Sequence, residues 1–178
     1  MSHDIEIEKA SVYVGTYAKY NEGSIYGKWL LLSDYDDSEA FYKACGEFHS
    51  DEEDPEYMFQ DYENIPESLI CESWISEQAF TVLQTLSAME DSMRRPFLIW
   101  CNNDHFDLDK EDIDDLIDRF HDDYVGEYKD EEDFAYEIIQ EREDLNDFAK
   151  QYFDYEAYAR DLFSSNYWSE DDYVFYKN

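Results

Sequence analysis

Basic residues, glycine, proline and cysteine are all scarce in this sequence of 178 residues. Lysine and arginine together number 13 against 47 aspartates and glutamates, so the formal net charge is −34. A chain with this charge repels nucleic acids and anionic membranes, which argues against direct binding to either. Five glycines and three prolines leave little material for flexible linkers. We therefore expect a folded chain whose partner is a strongly basic surface.

Cysteine and long apolar runs are equally limited. Cys45, Cys71 and Cys101 are odd in number and widely spaced, which predicts free thiols in a reducing cytoplasm. No apolar run approaches the roughly 20 residues of a membrane span. Residues 1–9 are polar and acidic, unlike a signal peptide. The sequence therefore predicts a cytoplasmic location with no membrane partner.

Sequence signatures of catalysis are lacking as well. There is no HExxH pair, CxxC pair, P-loop, GxGxxG or GxSxG pattern. Residues 107–111 begin like a calcium loop, but Asp112 stands where that loop needs glycine and Asp118 where it needs glutamate. A carboxylate pair for glycoside chemistry has no specificity among 47 acids. We therefore expect no catalytic residue, no specific metal site and no cofactor.

Apolar residues are nevertheless abundant enough to build a core. Hydrophobic residues make up 43% of the chain and aromatic residues 19%, so a disordered polyanion is not expected. Composition and alternation predict strands at residues 12–14, 26–32, 57–59 and 173–176, with a polar loop at 19–23. Strands and helices in the same chain predict an α+β fold.

Helical periodicity marks the remaining segments. Apolar residues at spacings of three and four predict helices over residues 38–48, 67–93, 109–124 and 134–152. Asp37 or Ser38 can cap the first helix, whereas Asp109 and Gly126 are expected to start and stop the third. Pro96 is expected to stop the pattern of the second helix, and residues 97–100 fit either a strand or a buried helix.

The negative charge is concentrated in one quarter of the chain. Residues 104–147 hold 20 acidic and four basic residues, a net charge of −16. Duplex DNA carries one charge per roughly 1.7 Å of axis, so the net charge of the whole chain matches about 17 base pairs. Helical phasing places many of these acids opposite the apolar faces, where neighbouring carboxylates lie about 5–6 Å apart. We predict that they stand in for DNA phosphates.

The predicted partner-binding acids form two runs, residues 107–123 and 127–144. They are Asp107, Asp109, Glu111, Asp112, Asp114, Asp115, Asp118, Asp122, Asp123, Glu127, Asp130, Glu131, Glu132, Asp133, Glu137, Glu141, Glu143 and Asp144. Adaptation to high salt and a solvated acidic coat without a partner are the alternatives. The many aromatic residues disfavour the first, and the cost of self-repulsion disfavours the second.

Two motifs near the ends of the chain resemble those of the ArdA antirestriction proteins. The apolar strand at 12–14, the segment KYNEG at 19–23 and the segment GKW at 27–29 resemble the opening strand, KYNEG loop and G-x-W strand of that family. The segment FDYEAYARDL at 153–162 resembles the family pattern (I/F)DYxAYxRDL. Both motifs occur in the family's order and at roughly its spacing. Between them the resemblance consists of acidity, length and helical pattern.

The resemblance implies a protein of mobile genetic elements that inhibits Type I restriction-modification enzymes and catalyses nothing. Members of the family are similar to bent B-DNA as elongated homodimers, with three small domains per chain, and they occupy the enzyme's DNA-binding channel. The family's antirestriction motif falls at residues 133–147 here, and the acidic stretch at 51–56 is insert-like. An apolar patch for a dimer is expected among Tyr167, Trp168, Phe175 and the central aromatic residues.

The turn-forming residues at 64–66 and the resemblance together predict three domains. These are an N-terminal α/β domain at residues 1–66, a helical middle domain at 67–106 and a C-terminal acidic α/β domain at 107–178. The alternative function is an acidic binding module for another basic partner, such as a DNA-binding or histone-like protein or a polyamine.

Overall fold

The computed structural model describes residues 5–103 and 106–177. Helices and small antiparallel sheets follow one another along the chain, which confirms the predicted α+β class. The chain divides into two compact units, Met1–Leu116 and Ile117–Asn178, and the division falls within a helix. The elongated arrangement of three domains remains a prediction.

A three-stranded antiparallel sheet opens the first unit, in the order β2-β1-β3. Its strands are β1 (Ser11–Thr16), β2 (Lys28–Leu31) and β3 (Tyr57–Glu63). They lie where strands were predicted, although β3 is longer. The loop predicted at 19–23 is partly the short helix α1 (Tyr17–Asn21), because the Thr16 side chain accepts a hydrogen bond from the Lys19 backbone and caps it.

Helix α2 (Ser38–Phe48) packs against one face of this sheet and confirms the predicted helix. The Asp37 carboxylate accepts a hydrogen bond of 2.8 Å from the Ala40 backbone, so Asp37 is the N-cap. Phe41 is fully buried, and its ring lies 5.9 Å from that of Phe59 on β3. The helix therefore covers the sheet face that carries Val12 and other buried residues.

The segment after β3 departs from the prediction of one helix over 67–93. Residues 67–69 form a 3₁₀ turn, and a small hairpin follows, made of β4 (Ile70–Cys71) and β5 (Trp74–Ile75). Helix α3 (Ala79–Ala88) begins only after it. The helical prediction for residues 67–78 was wrong because backbone pairing prevails over periodicity here. The Phe59 N–H, for example, donates to the Glu72 carbonyl at 2.7 Å.

Helix α4 (Asp91–Asn103) contains Pro96, which was expected to stop the helical pattern. The residues that follow the proline, 97–101, are all buried and helical. A proline within a helix costs about 3 kcal/mol. Burial of Phe97, Ile99 and Trp100 at roughly 1.5–3 kcal/mol each offsets that cost, so the helix continues through the proline.

The second unit combines a small sheet with three complete helices and the larger part of the helix at the division. The sheet has the order β6-β8-β7 and consists of β6 (Tyr124–Glu127), β7 (Tyr167–Glu170) and β8 (Tyr173–Tyr176), the last as predicted. The helices are α6 (Glu131–Gln140), α7 (Asp147–Gln151) and α8 (Tyr155–Ser165). Asp171 and Asp172 both have positive φ, 51° and 71°, as a two-residue type I′ hairpin turn requires.

Two residues of this sheet behave differently from their predictions. Gly126, expected to stop a helix, lies inside β6 at a shift of register opposite Val174, with φ of 156°. Phe175, expected in an exposed dimer patch, is fully buried, and the Trp168 ring stacks on it at 4.2 Å. The exposed aromatic side chains of this unit include Phe148 and Tyr152, which are about 70% exposed.

The three cysteines are free thiols, as predicted. Cys45 and Cys101 are buried, and burial raises the pKa of the Cys45 thiol to about 12, which makes it a poor nucleophile. Within residues 5–103 and 106–177, no helix combines the length and the apolar character needed to cross a membrane.

Candidate functional site

Helix α5 (Ile113–Asp123) carries five aspartates among its 11 residues. Its start is fixed by Asp112, whose carboxylate accepts hydrogen bonds from the backbones of Asp114 and Asp115 at 2.9 and 3.3 Å. Asp109, the predicted cap, lies in the turn before the helix, where its N–H donates to Asp107. The helix therefore starts three residues after the predicted cap would have placed it.

The two faces of α5 are sharply different. Ile113, Leu116 and Phe120 are buried, whereas Asp114, Asp115, Asp118 and Asp122 are exposed. Asp114, Asp118 and Asp122 recur every four residues, so they form a row with about 5–6 Å between neighbouring Cβ atoms. Because the apolar side of the helix is buried, the carboxylates are displayed on its outer side.

Burial decides which predicted acids can face a partner. Of the 18 predicted positions, 13 are exposed, so most of the set is accessible. Asp123 is only 7% exposed, because it lies on the inner side at the end of α5, and it is therefore the predicted acid least accessible to a partner. Asp107, Asp109, Glu111 and Asp133 are half-buried.

Several predicted acids also hold the fold together. Asp107 accepts a hydrogen bond of 2.6 Å from Lys110, and this bond lowers the pKa of the Asp107 carboxyl. Asp130 caps α6 through the Asp133 backbone at 2.8 Å. Arg142 donates two hydrogen bonds of 2.6 Å to Asp144, which lowers the pKa of that carboxyl to about 2. Part of the hydrogen-bonding capacity of these carboxylates is therefore already used within the chain.

A second acidic row lies on α6 and its C-terminal end. Asp133, Glu137 and Glu141 recur every four residues, and the last two are exposed. Burial raises the pKa of the Tyr128 phenol, and the charges of Glu137, Glu141 and Asp133 raise it further. The three carboxylates therefore lie near enough to Tyr128 for their charges to act on its phenol.

An acidic cleft lies beside the start of α6 within the second unit. Its volume is about 720 Å³. The carboxylates that line it belong to Asp130, Glu131, Glu132 and Glu156, with Arg160 and Phe163 also present. An open cleft with four carboxylates can receive a long cationic side chain, since lysine and arginine carry the complementary charge.

The acidic rows lie inside the region that a known protein family covers. The sequence model of the family described as antirestriction protein (ArdA) matches residues 12–175 of the 178 in the chain. The chain belongs to the ArdA family. None of the curated proteins compared with it matches. Membership gives the chain an antirestriction function, directed against restriction enzymes.

The KYNEG segment of this ArdA chain contains a half-buried lysine held by several partners. The Lys19 ammonium lies 2.8 Å from Asp51 Oδ1, 3.0 Å from Glu52 Oε1 and 3.0 Å from His49 Nδ1. His49 Nε2 lies 3.2 Å from the Val14 carbonyl, which can only accept, so Nε2 donates there and Nδ1 accepts from Lys19. The acidic stretch at 51–56 thus supplies partners for the motif, a link that the sequence alone did not reveal.

The same three acceptors could be mistaken for a metal site. Within the described parts of the chain, His49, Asp51 and Glu52 form one group whose ligand atoms lie within 4.8 Å of one another. The Lys19 ammonium sits among these atoms and supplies the positive charge that a cation would bring. The geometry of the group is therefore explained by an ion-pair network.

Lys19→Met is expected to lower the stability of the first unit in a pH-dependent way. Hydrogen bonds from Lys19 to Asp51, and from Thr16 and Lys19 to Glu52, lower the pKa values of both carboxyls from their ordinary 3.8 and 4.5. Burial lowers the pKa of Lys19, but the hydrogen bonds to Asp51 and Glu52 raise it, and the net result is a pKa above the ordinary value of 10.5.

The sign of each shift sets the pH window for this variant. Carboxyl groups with lowered pKa values stabilise the fold above about pH 4.5 and lose that effect as the pH falls through their folded values. Lys19, with its raised pKa, loses its contribution above about pH 10.5. Urea unfolding of wild type and variant should differ most between these limits, and a difference independent of pH would contradict the ion-pair network.

The other family motifs also have structural explanations. A Cβ on Gly27 would lie 2.6 Å from the Tyr13 ring and 2.8 Å from the Val14 carbonyl, so only glycine fits there. In the C-terminal motif, Asp154 caps α8, and the Tyr155 hydroxyl donates to the Lys150 carbonyl at 2.7 Å. These motif residues shape the scaffold that displays the acids.

Proposed function

We propose that this ArdA chain inhibits Type I restriction-modification enzymes by occupying their DNA-binding channel as a DNA mimic. It acts by stoichiometric competition with DNA, without catalysis or a cofactor, and in the cytoplasm. The carboxylates of α5 and α6 take the place of DNA phosphates. Family membership supports the class of target, and the exposed acidic rows support the mode of action.

The exposed row on α5 carries the proposal. Asp114, Asp118 and Asp122 project from a helix whose other face is anchored by fully buried Leu116 and Phe120. Lysine and arginine side chains arranged to meet successive phosphates can therefore meet successive carboxylates held at fixed spacing. A disordered polyanion of equal charge would have to be ordered on binding, at a cost in entropy.

A homodimer is part of the proposal because two copies double the length of acidic surface offered to the channel. Exposed Phe148 and Tyr152 supply apolar area outside the acidic rows. Their rings contact each other, 4.9 Å between centroids, so they form one small patch. Burial of such a patch between two copies is favourable.

The test is a titration of this protein against cleavage and methylation by a Type I enzyme at two salt concentrations. We expect inhibition near one dimer per enzyme, relieved by excess DNA and weakened steeply by salt, because the release of bound counterions gains less entropy when the surrounding salt is more concentrated. Light scattering on the inhibitor measures its mass and so tests whether it is a dimer of the 21.4 kDa chain.

The alternative partners define the opposing outcome. Absence of inhibition at low salt, together with tight binding to a histone-like protein or a polyamine, would replace the DNA-mimic proposal by that of a general acidic binding module. Inhibition that excess DNA does not relieve would place the contact outside the DNA channel.

A further inference from the structure

The outer face of the N-terminal sheet combines aromatic and acidic side chains. Residues paired across antiparallel strands share a face. One row across the three strands consists of Trp29, Tyr13 and Asp61. The row two residues away consists of Leu31, Ser11 and Glu63. Val12 and Val14, which alternate with these residues on β1, are fully buried on the opposite face. The six residues therefore face away from the core of the unit.

Side chains at the centre of this face are held in place. The Tyr13 hydroxyl donates to the Ile25 carbonyl at 3.0 Å, and the Tyr13 ring contacts that of Trp29 edge to face at 5.6 Å. Gly27 leaves the space that the Tyr13 ring fills. The arrangement nevertheless leaves Trp29 41% exposed and Ile25 77% exposed. The chain thus fixes an apolar surface and leaves it accessible.

The charge around this surface identifies the kind of partner it fits. Asp61 and Glu63 are exposed on the adjoining strand, and none of the six paired residues is basic. Lys28 belongs to the other face, since it pairs with buried Val14, and its ammonium lies 5.9 Å from the Phe48 ring. Tyr13 on the central strand lies between Trp29 on one side and Asp61 on the other. An aromatic pair with carboxylates along one edge suits an arginine-bearing segment, because guanidinium groups stack on aromatic rings and bind carboxylates.

We propose that this face, defined by Tyr13, Trp29, Leu31, Asp61, Glu63 and the neighbouring Ile25, is a second docking surface for the restriction enzyme. Its occupant is an arginine-bearing loop of that enzyme, outside the contacts made by the acidic helices. This inference rests on the proposed function. The docking surface contributes binding energy through apolar and stacking contacts. This contribution to the affinity changes little with salt concentration.

The experiment compares Trp29→Ala and Ile25→Ser with wild type in the cleavage titration at two salt concentrations. Trp29→Ala is expected to raise the half-inhibiting concentration about tenfold or more at both salts, as loss of a stacked aromatic anchor does. Ile25→Ser is expected to raise it about threefold. The dependence of inhibition on salt should stay as in wild type, because neither change removes a charge.

Trp74→Ala is the matched control, since Trp74 lies in the same unit, is also 41% exposed and sits on β5, outside the docking surface. It should inhibit like wild type. Ile25→Ser guards against misfolding, because Ile25 is an exposed loop residue, and circular dichroism checks each variant. If the wild type inhibits and both Trp29→Ala and Ile25→Ser inhibit as well as Trp74→Ala, the docking surface is ruled out and the proposed function stands. A fall in dimer mass for Trp29→Ala would assign the face to a second copy instead, and a wild type that never inhibits would overturn the proposed function itself.

Discussion

Replacement of Asp114, Asp115, Asp118 and Asp122 by asparagine is expected to weaken inhibition about a hundredfold at low salt. Asparagine keeps the shape of each side chain, so the change removes charge and little else. Loss of about 0.7 kcal/mol for each carboxylate facing a cationic channel sums to roughly 2.8 kcal/mol, which is a factor of about one hundred. The slope of log affinity against log salt should fall by about 3 to 4, since each paired charge contributes about 0.9.

A second quadruple variant distinguishes the effect of where the acids lie from the effect of the net charge of the chain. Glu39, Glu47, Glu53 and Asp54 are exposed acids of the first unit outside both proposed contact surfaces, and their neutralisation changes the net charge equally. We expect it to weaken inhibition less than about fivefold, through long-range attraction alone. The single change Asp118→Asn should cost about threefold. Complete loss of inhibition from that single change would indicate one discrete site and contradict a distributed row.

Periodicity located the acidic helices because it is a local property. The apolar positions of α5 and α6 recur at three and four residues, so the acids between them had to lie outside. The capping rules were less successful, since Asp112 and not Asp109 caps α5, and Gly126 lies inside β6. The cap of α2 at Asp37 followed from the same rules. These rules could not predict which acid near a helix end has a buried side chain. Asp123, at the end of α5, is such an acid.

Features that depend on distant partners were not predictable from the sequence. The hairpin at 70–75 forms because its backbone pairs beside β3, although its apolar spacing is helical. Pro96 stays within a helix because the buried residues after it outweigh the lost hydrogen bond. The Lys19 cluster joins a motif to acids more than 30 positions later, and spacing along a chain carries no signal for such a contact.

The scaffold under the acidic row supports the function without carrying charge, and Phe120→Ala tests this support. Phe120 is fully buried in α5, and its ring stacks on Tyr124 at 5.1 Å, next to Phe175. Removal of its ring should lower the free energy of unfolding by about 3–5 kcal/mol. It should also weaken inhibition, because the carboxylates would then have to be ordered on binding.

Tyr20→Ala is the control for Phe120→Ala, as it also removes an aromatic ring, at a site in α1 that is 52% exposed and lies outside the proposed contact surfaces and the dimer patch. Its effect on unfolding should stay within about 0.5 kcal/mol. Urea unfolding gives the stabilities, and amide hydrogen exchange along α5 reports whether the helix opens more often. If Phe120→Ala exposes α5 to exchange yet inhibits as well as wild type, rigid display of the acids is unnecessary. Charge density alone would then account for inhibition, as it would for any flexible polyanion.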